Sequence, residues 1–220
     1  MSTGTLFDMQ SQMPMFTGVP LVEELRPRVL ADLVGLVKVK AALTKWLKAP
    51  RSQAFLFVGP PGVGKTVAAE CLARELNATT WTVNSQECKV ETLQDLCFHM
   101  SFVPASGLNG FHCAIINEAC LMSTAAENFL LSKLCEGMMK NVVWIFTSND
   151  ADTKLSERFL SRCLRMDFNS YGSNSEIEAR LRETWDRKMP GIPAPAAIKK
   201  CVCGNLRESY NRLELLLLEN

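Results

Sequence analysis

The clearest chemistry in this sequence lies in the run GPPGVGKT at residues 59–66. The run matches G-x-x-x-x-G-K-[ST], a phosphate-binding loop that needs a strand before it and a helix after it. The apolar run AFLFV at 54–58 predicts the strand, and the helical spacing of VAAECLAREL at 67–76 predicts the helix. In such a loop Lys65 reaches the β- and γ-phosphates and the Thr66 hydroxyl ligates Mg²⁺. The predicted cofactor-binding set for ATP and Mg²⁺ is Gly59, Pro60, Pro61, Gly62, Val63, Gly64, Lys65, Thr66 and Val67.

Further candidates for chemistry come later in the chain, where polar residues follow or precede apolar runs. Glu118 follows CAIIN, and its carboxylate is the candidate general base that polarises the attacking water. Asn149, in IFTSND, is suited to hydrogen-bond the γ-phosphate or that water. Arg162, with Arg158 in SERFLSRC, is a candidate arginine finger for a neighbour's site. The predicted catalytic set is therefore Lys65, Glu118, Asn149 and Arg162.

The elements that must position these residues alternate between strand and helix patterns. Apolar runs predict strands at 54–58, 79–83, 112–117, 141–150 and 163–168, with amphipathic helices between them. This order predicts an α/β fold, in which a five-stranded parallel sheet is covered by helices and followed by a small C-terminal α-helical lid. We expect a flexible N-terminal tail at 1–20, a P-loop ATPase core at 21–169 and the helical lid at 170–220. Thr124 and Glu127 predict a capping box for the helix that Gly137 ends.

Composition excludes several classes of protein. Hydrophobic residues make up 47% and charged residues 21% of the 220, which is ordinary for a soluble globular protein, and the net charge of +1 provides no overall basic field for nucleic acid. A local basic face stays open. The N-terminus lacks a signal-peptide pattern, and no apolar run approaches the ~20 residues of a membrane span. The nine cysteines form no CxxC pair and only two histidines are present, which predicts reduced thiols, no zinc site and a cytoplasmic protein.

Taken in order, these motifs resemble the AAA+ ATPases, and within them the clamp-loader small subunits of the replication factor C and DNA polymerase III type. IINEAC is similar to the family's Walker B motif, TSND to its sensor 1, and Ser161-Arg162-Cys163 to its Ser-Arg-Cys signature. The last similarity implies that Arg162 acts in trans on a neighbouring subunit. The opening LVEELRPRVLADLVG resembles the box beside the adenine, which implies that Val34 and Gly35 contact the nucleotide. Gly204-Asn205-Leu206-Arg207 resembles the sensor 2 of the lid, which implies that Arg207 contacts the γ-phosphate.

The sequence departs from this family pattern in two places. The Walker B motif of the family ends in Asp-Glu, whereas this chain has Asn117-Glu118. The aspartate holds the Mg²⁺ shell, so Asn117 joins Thr66 as a predicted metal-site residue, and a neutral amide there predicts slow hydrolysis. The family also carries a C-terminal helical collar that fixes a pentamer, and this sequence ends after the lid.

The leading hypothesis is an ATP-binding AAA+ protein that forms a homo- or hetero-oligomer and acts on DNA or on a DNA-bound protein. One alternative is an ATP-dependent adaptor or recruitment switch with little hydrolysis, which Asn117 favours. A second alternative is a branch-migration-type motor, which shares the Leu-Arg-Pro opening. The segment Gln12–Phe16 also resembles a peptide that docks on sliding clamps, which makes such a clamp a candidate partner.

Overall fold

The computed structural model describes residues 17–105, 107, 110–135, 139–149, 154–168 and 174–219. The chain divides into two compact units: Pro27–Asn169 forms one, and Met1–Arg26 forms the other together with Ser170–Asn220. We call them the sheet unit and the helical unit. The predicted clamp-docking segment Gln12–Phe16 and the predicted helix end at Gly137 lie outside the described residues.

The sheet unit contains the five parallel strands that the sequence predicts. They are β1 (Gln53–Val58), β2 (Thr79–Asn84), β3 (His112–Asn117), β4 (Val142–Ser148) and β5 (Leu164–Asp167). Their order in the sheet is β2-β3-β4-β1-β5, and every adjacent pair is parallel. Strands β1 and β4 lie in the interior of the sheet and are buried almost throughout, because helices cover both of their faces. The α/β prediction is confirmed.

Helices connect these strands and cover the sheet. They are α2 (Val37–Leu47), α3 (Lys65–Glu75), α4 (Val90–His99), α5 (Thr124–Cys135) and the short α6 (Glu157–Leu160). Side chains of β1 alternate between the two faces, so Leu56 joins one apolar cluster while Phe55 meets Trp46 of α2 edge-on, with ring centroids 5.3 Å apart. Two residues after α3, Asn77 adopts the left-handed conformation (φ 51°) that commonly follows the end of a helix.

The N-terminal cap of α5 differs from the prediction. Ser123, not Thr124, is the capping residue, because its Oγ accepts a hydrogen bond from the Ala126 backbone N–H at 3.2 Å. The Glu127 carboxylate, which a capping box would turn back onto its own helix, instead accepts from the backbone N–H of Ser156 at 2.8 Å and from its hydroxyl. The predicted capping box is therefore wrong, and Glu127 joins α5 to the start of α6.

The helical unit contains α1 (Leu21–Glu24), α7 (Asn174–Lys188), α8 (Ile198–Cys201) and α9 (Leu206–Leu218). The sequence-based boundary placed residues 21–26 with the core, whereas the structure places them here. Two polar contacts explain the difference: Lys188, only 5% exposed, donates to Glu24 at 2.6 Å, and the Leu21 backbone N–H donates to Glu214 at 3.2 Å. Across the ranges described above, no helix is both long enough and apolar enough to cross a bilayer.

Candidate functional site

The loop between β1 and α3 has the backbone that a phosphate-binding loop requires. Gly62 and Gly64 adopt φ values of 78° and 87°, which residues other than glycine rarely adopt. Gly59 is required for a different reason, because a Cβ atom there would lie 2.8 Å from the carbonyl oxygen of Phe168, just after β5. The loop is thereby held close to the carboxyl ends of β1 and β5.

Lys65, the first residue of α3, is buried at the centre of this loop. It is 6% exposed, and its Nζ donates to the carbonyl oxygens of Gly59 at 2.7 Å and Pro60 at 2.8 Å. Burial lowers the pKa of Lys65 from 10.5 to about 8, although the charge of Glu118 opposes that shift. Within the described part of the chain, no carboxylate lies within salt-bridge distance of its ammonium group. The ammonium group is therefore hydrogen-bonded to two neutral carbonyls and, among the described residues, takes part in no salt bridge.

The next residue, Thr66, meets the end of β3. Its hydroxyl donates to Oδ1 of Asn117 at 3.0 Å, so two residues that are 51 positions apart form one oxygen pair beside the loop. Hydroxyl and amide oxygens are hard ligands of the kind that Mg²⁺ accepts, so the pair fits the predicted metal site. Both groups are neutral, however, and an aspartate in place of Asn117 would add a negative charge.

The Glu118 side chain lies between the ends of β3 and β4. Its backbone is in the left-handed region (φ 54°, ψ 44°), which changes the direction of the chain directly after β3. Its backbone N–H donates to the hydroxyl of Thr147 at 3.0 Å, and its Oε1 accepts from Nδ2 of Asn149 at 3.4 Å. The structure therefore brings the predicted base and the predicted sensor together at one edge of the sheet.

Thr147 is a site residue that the predicted catalytic and binding sets do not include. It is 2% exposed and lies 3.5 Å from Oδ1 of Asn117 in addition to its bond with Glu118, so it orients both Walker B residues. The sequence does contain a signal for Thr147. It precedes the predicted sensor Asn149 by two residues, and side chains two residues apart share one face of a strand.

The segment predicted to lie beside the adenine packs against α3. The carbonyl oxygens of Pro27 and Arg28 accept hydrogen bonds from Cys71 at 3.4 Å and Arg74 at 2.7 Å, respectively. Further along the segment, a Cβ atom on Gly64 would lie 3.9 Å from Cδ2 of Leu33. Val34 is half-buried, and Gly35 is buried with a φ of 63°. This segment therefore borders the phosphate-binding loop, and contact of Val34 and Gly35 with the nucleotide stays a prediction.

Arg162 lies near the amino ends of the strands, at the edge of the sheet opposite to the phosphate-binding loop. Leu164 of β5 pairs with Phe55 of β1, three residues before the end of β1, and Arg162 precedes Leu164 by two residues. At about 3.3 Å per residue, the four residues from Phe55 to Gly59 place the start of β5 roughly 13 Å from the start of the loop along the strand direction, and Arg162 lies before that start. Its guanidinium is exposed and donates to Cys135, to Ser161 and to the carbonyl of Arg158.

The predicted sensor 2 belongs to the helical unit. Asn205 accepts a hydrogen bond from the Glu208 backbone N–H at 3.3 Å and caps α9, and Arg207 occupies the first turn of that helix with an exposed side chain. Its role as a γ-phosphate contact stays a prediction.

Comparisons with known proteins agree with this geometry. A family model for the ATPase family associated with various cellular activities (AAA) matches residues 55–171. Replication factor C small subunit 2 of Pyrobaculum aerophilum is 29% identical over 201 residues, which cover 88% of this chain and 62% of the relative. Replication factor C subunit 3 of Saccharomyces cerevisiae is 30% identical over 204 residues, covering 89% and 59%. The chain thus spans about three fifths of the length of these curated relatives.

The solved structures support the fold. The RuvB Holliday junction branch migration motor of Thermotoga maritima superposes with a TM-score of 0.72 at 21% identity, over 89% of this chain and 67% of that one. A single-residue variant of RuvB from the same organism gives 0.73 at 20% identity, over the same shares of the two chains. At this level of identity the likeness concerns the fold alone. With the matching family model, the phosphate-binding loop and the five parallel strands in place, the chain belongs to the AAA family of ATPases and is related to the small subunits of replication factor C.

Proposed function

We propose that this chain binds ATP and Mg²⁺ at the Gly59–Thr66 loop, hydrolyses ATP slowly, and assembles so that Arg162 completes the site of a neighbouring subunit. Lys65 is the observation that carries the proposal. An ammonium group that is 6% exposed and bonded to two neutral carbonyls has lost hydration without gaining an opposite charge within salt-bridge distance among the described residues. A polyphosphate placed against the N-terminus of α3 supplies that charge, and the glycine backbone and the helix dipole favour the same ligand.

Thr66 and Asn117 would hold the Mg²⁺ that accompanies ATP. The ion would neutralise the charge that develops on the phosphates during transfer. Because the Thr66–Asn117 pair provides oxygen atoms but no negative charge, the phosphates themselves must bring most of the charge that holds the ion. We therefore expect binding to be retained better than catalysis.

Glu118 is the proposed base and Asn149 its partner. The Asn149 amide holds Oε1 of Glu118 at 3.4 Å, which keeps the carboxylate at the edge of the sheet beside Lys65 and Thr66. From there the carboxylate accepts a proton from an attacking water, while Asn149 orients that water or the γ-phosphate. Arg207 is the proposed contact of the γ-phosphate, as its resemblance to sensor 2 implies.

Oligomerisation follows from the position of Arg162. A residue on the edge of the sheet opposite to the loop does not reach its own nucleotide, whereas it is exposed to a second subunit. We infer an assembly with ATP between subunits that acts on DNA or on a DNA-bound protein. The support for DNA is the relation to replication factor C small subunits, together with the fold shared with a branch migration motor. A sliding clamp bound through Gln12–Phe16 remains a candidate partner, and the cytoplasm is the proposed location.

Asn117 favours a second candidate function, an ATP-dependent adaptor that assembles and recruits a partner with little turnover. The two functions predict different kinetics. A DNA-directed ATPase increases its turnover when DNA is added, whereas an adaptor holds ATP for long periods with or without DNA.

Replacement of Lys65 tests the nucleotide site. Lys65→Ala should abolish measurable binding of a fluorescent ATP analogue while the circular dichroism spectrum and Tm are retained. Lys45→Ala, which changes an exposed lysine on α2, is the matched control and should bind like the wild type. Sedimentation of the wild type with a non-hydrolysable ATP analogue tests assembly in the same preparation. Wild-type affinity in Lys65→Ala would contradict the site, and a chain that stays monomeric at high concentration would contradict action in trans.

A further inference from the structure

We propose that Cys135, the last residue of α5, positions the Arg162 side chain for its work on the neighbouring subunit. The proposal rests on the function proposed above, in which Arg162 acts in trans. It assigns a role to a thiol that has no part in the nucleotide site of its own chain.

The hydrogen bonds of the Arg162 guanidinium group are divided unevenly among its nitrogen atoms. Nε donates to Sγ of Cys135, and Nη1 donates to the carbonyl of Arg158 at 2.8 Å and to Oγ of Ser161 at 3.1 Å. Among the described residues, Nη2 has no hydrogen-bond partner. Three of the five N–H donors are therefore held within the subunit, and the terminal amino group is left to contact an anion.

These three contacts differ in what they can fix. Arg158 lies in α6 and Ser161 directly follows that helix, so both belong to the same local segment as Arg162. Cys135 belongs to a different element, α5, which begins six residues after Glu118 and is anchored in the core by Ala126 and Leu130. The thiol is therefore the contact that ties the guanidinium to the rigid part of the sheet unit. A long exposed arginine loses much rotamer freedom when it binds, and restraint before binding reduces that loss.

The environment of Cys135 separates it from the cysteines that serve as core residues. Cys71, Cys88 and Cys113 are buried, and burial raises their pKa values to about 11, 11 and 12. Cys135 is exposed, so core packing does not explain a cysteine there. Its described interaction is the one with Arg162.

Two substitutions test the contact itself. Cys135→Ala removes the acceptor for Nε, and Cys135→Ser replaces it with a hydroxyl oxygen that also accepts. We expect Cys135→Ala to lower kcat about three-fold, as befits a single exposed hydrogen bond, with ATP affinity unchanged. Cys135→Ser should stay close to the wild type. Alkylation of the wild-type thiol with N-ethylmaleimide should lower kcat further, toward the value of Arg162→Ala, and the Cys135→Ser chain is its control.

Mixed assemblies show which subunit the thiol serves. Cys135→Ala chains have an intact nucleotide site, and Lys65→Ala chains have an intact arginine. If Cys135 acts through Arg162 in trans, added Lys65→Ala chains restore the rate per Cys135→Ala site, as they should for Arg162→Ala. If mixing restores Arg162→Ala but not Cys135→Ala, the thiol acts within its own subunit and our inference is wrong. If Arg162→Ala itself turns over like the wild type, the proposed function fails and the inference fails with it.

A spectroscopic measurement tests the contact without any turnover. The ¹⁵Nε–¹Hε signal of Arg162 should be resolved and slow to exchange in the wild type and in Cys135→Ser, and broadened by exchange in Cys135→Ala. Assignment through Arg162→Lys identifies the signal. Identical Nε–H exchange in all three chains would overturn the proposed positioning role, whatever the state of assembly.

Discussion

The carboxyl ends and the amino ends of the strands, which we call the carboxyl edge and the amino edge of the sheet, differ in how their residues hold charge. At the carboxyl edge, Lys65 is buried and faces neutral carbonyls, while Thr66 and Asn117 pair as neutral oxygens. At the amino edge, Arg162 is exposed, and a thiol, a hydroxyl and a carbonyl hold it. The first edge is prepared for an anion that enters a buried site, and the second presents a cation to whatever approaches from outside.

This difference follows from the architecture of a parallel sheet. All strand ends of one kind lie at one edge, so residues after the strands and residues before them are separated by the length of the strands. Residues of both kinds therefore do not meet within one chain. If both edges serve one nucleotide, two subunits must share it, and the predictions below separate the contribution of each edge.

The largest effect on a rate that stays measurable should come from the amino edge. Arg162→Ala should lower the turnover number by ~10³-fold or more, because an arginine finger stabilises charge that develops in the transition state. Nucleotide affinity of the isolated chain should stay unchanged, which equilibrium titration with an ATP analogue checks. Arg158→Ala, which keeps the carbonyl that Arg162 contacts, is the matched control. If Arg158→Ala proved as damaging as Arg162→Ala, the effect would not be specific to Arg162 and its role as the finger would be contradicted.

A change of about tenfold is expected at the carboxyl edge. Asn117→Asp adds a negative charge beside Thr66 and should raise the turnover number on the order of tenfold, with little change in ATP affinity. Glu118→Gln should abolish hydrolysis in either background, since it removes the proposed base. Brisk turnover in the wild type with no gain in Asn117→Asp would show that the ion is held in another way. The adaptor function would then lose its main support.

The contact between α5 and the start of α6 should contribute to stability. Glu127→Ala removes the acceptor for both the backbone N–H and the hydroxyl of Ser156 at the start of α6. We expect the free energy of unfolding in urea to fall by about 1 kcal/mol, a value reduced for the partial exposure of the pair. Glu127→Gln, which keeps one acceptor oxygen, should lose less. Equal stability of Glu127→Ala and the wild type would show that α6 is held by its apolar contacts alone.

The smallest expected effect is the uptake of a fraction of a proton when ATP binds. Burial lowers the pKa of Lys65 to about 8, and bound polyphosphate should raise it again by supplying an opposite charge. About half of the Lys65 side chains are uncharged at pH 8 before binding, so ATP should bind with uptake of about half a proton, falling to roughly a tenth at pH 7. Calorimetry in buffers of different ionisation enthalpy measures this uptake. Lys65→Arg stays charged, and its uptake should vanish.

The same pKa shift affects the free protein. Because the folded value lies below the unfolded one, the folded chain releases the Lys65 proton first as pH rises. The cost of burying this charge is present below pH 8 and is relieved between about pH 8 and 10.5, so Lys65 itself adds stability as pH rises through that window.

The sequence by itself determined the local elements and the order in which they occur. A strand, a glycine-rich loop and a helix are encoded by neighbouring residues. The phosphate-binding loop, the five strands and the polar residues Glu118 and Asn149 could therefore all be predicted from the sequence. The capping box was wrong because the Glu127 carboxylate found donors 29 residues away, at Ser156, which no local pattern reveals.

Tertiary structure alone decided which distant residues meet. It paired Thr66 with Asn117, set Thr147 behind Asn117 and Glu118, and brought Cys135 to Arg162 across 27 positions. It also packed residues 21–26 into the helical unit, where Glu24 neutralises the buried Lys188. Such contacts depend on the register of neighbouring strands and on which buried charge finds a partner, and both are properties of the whole folded chain.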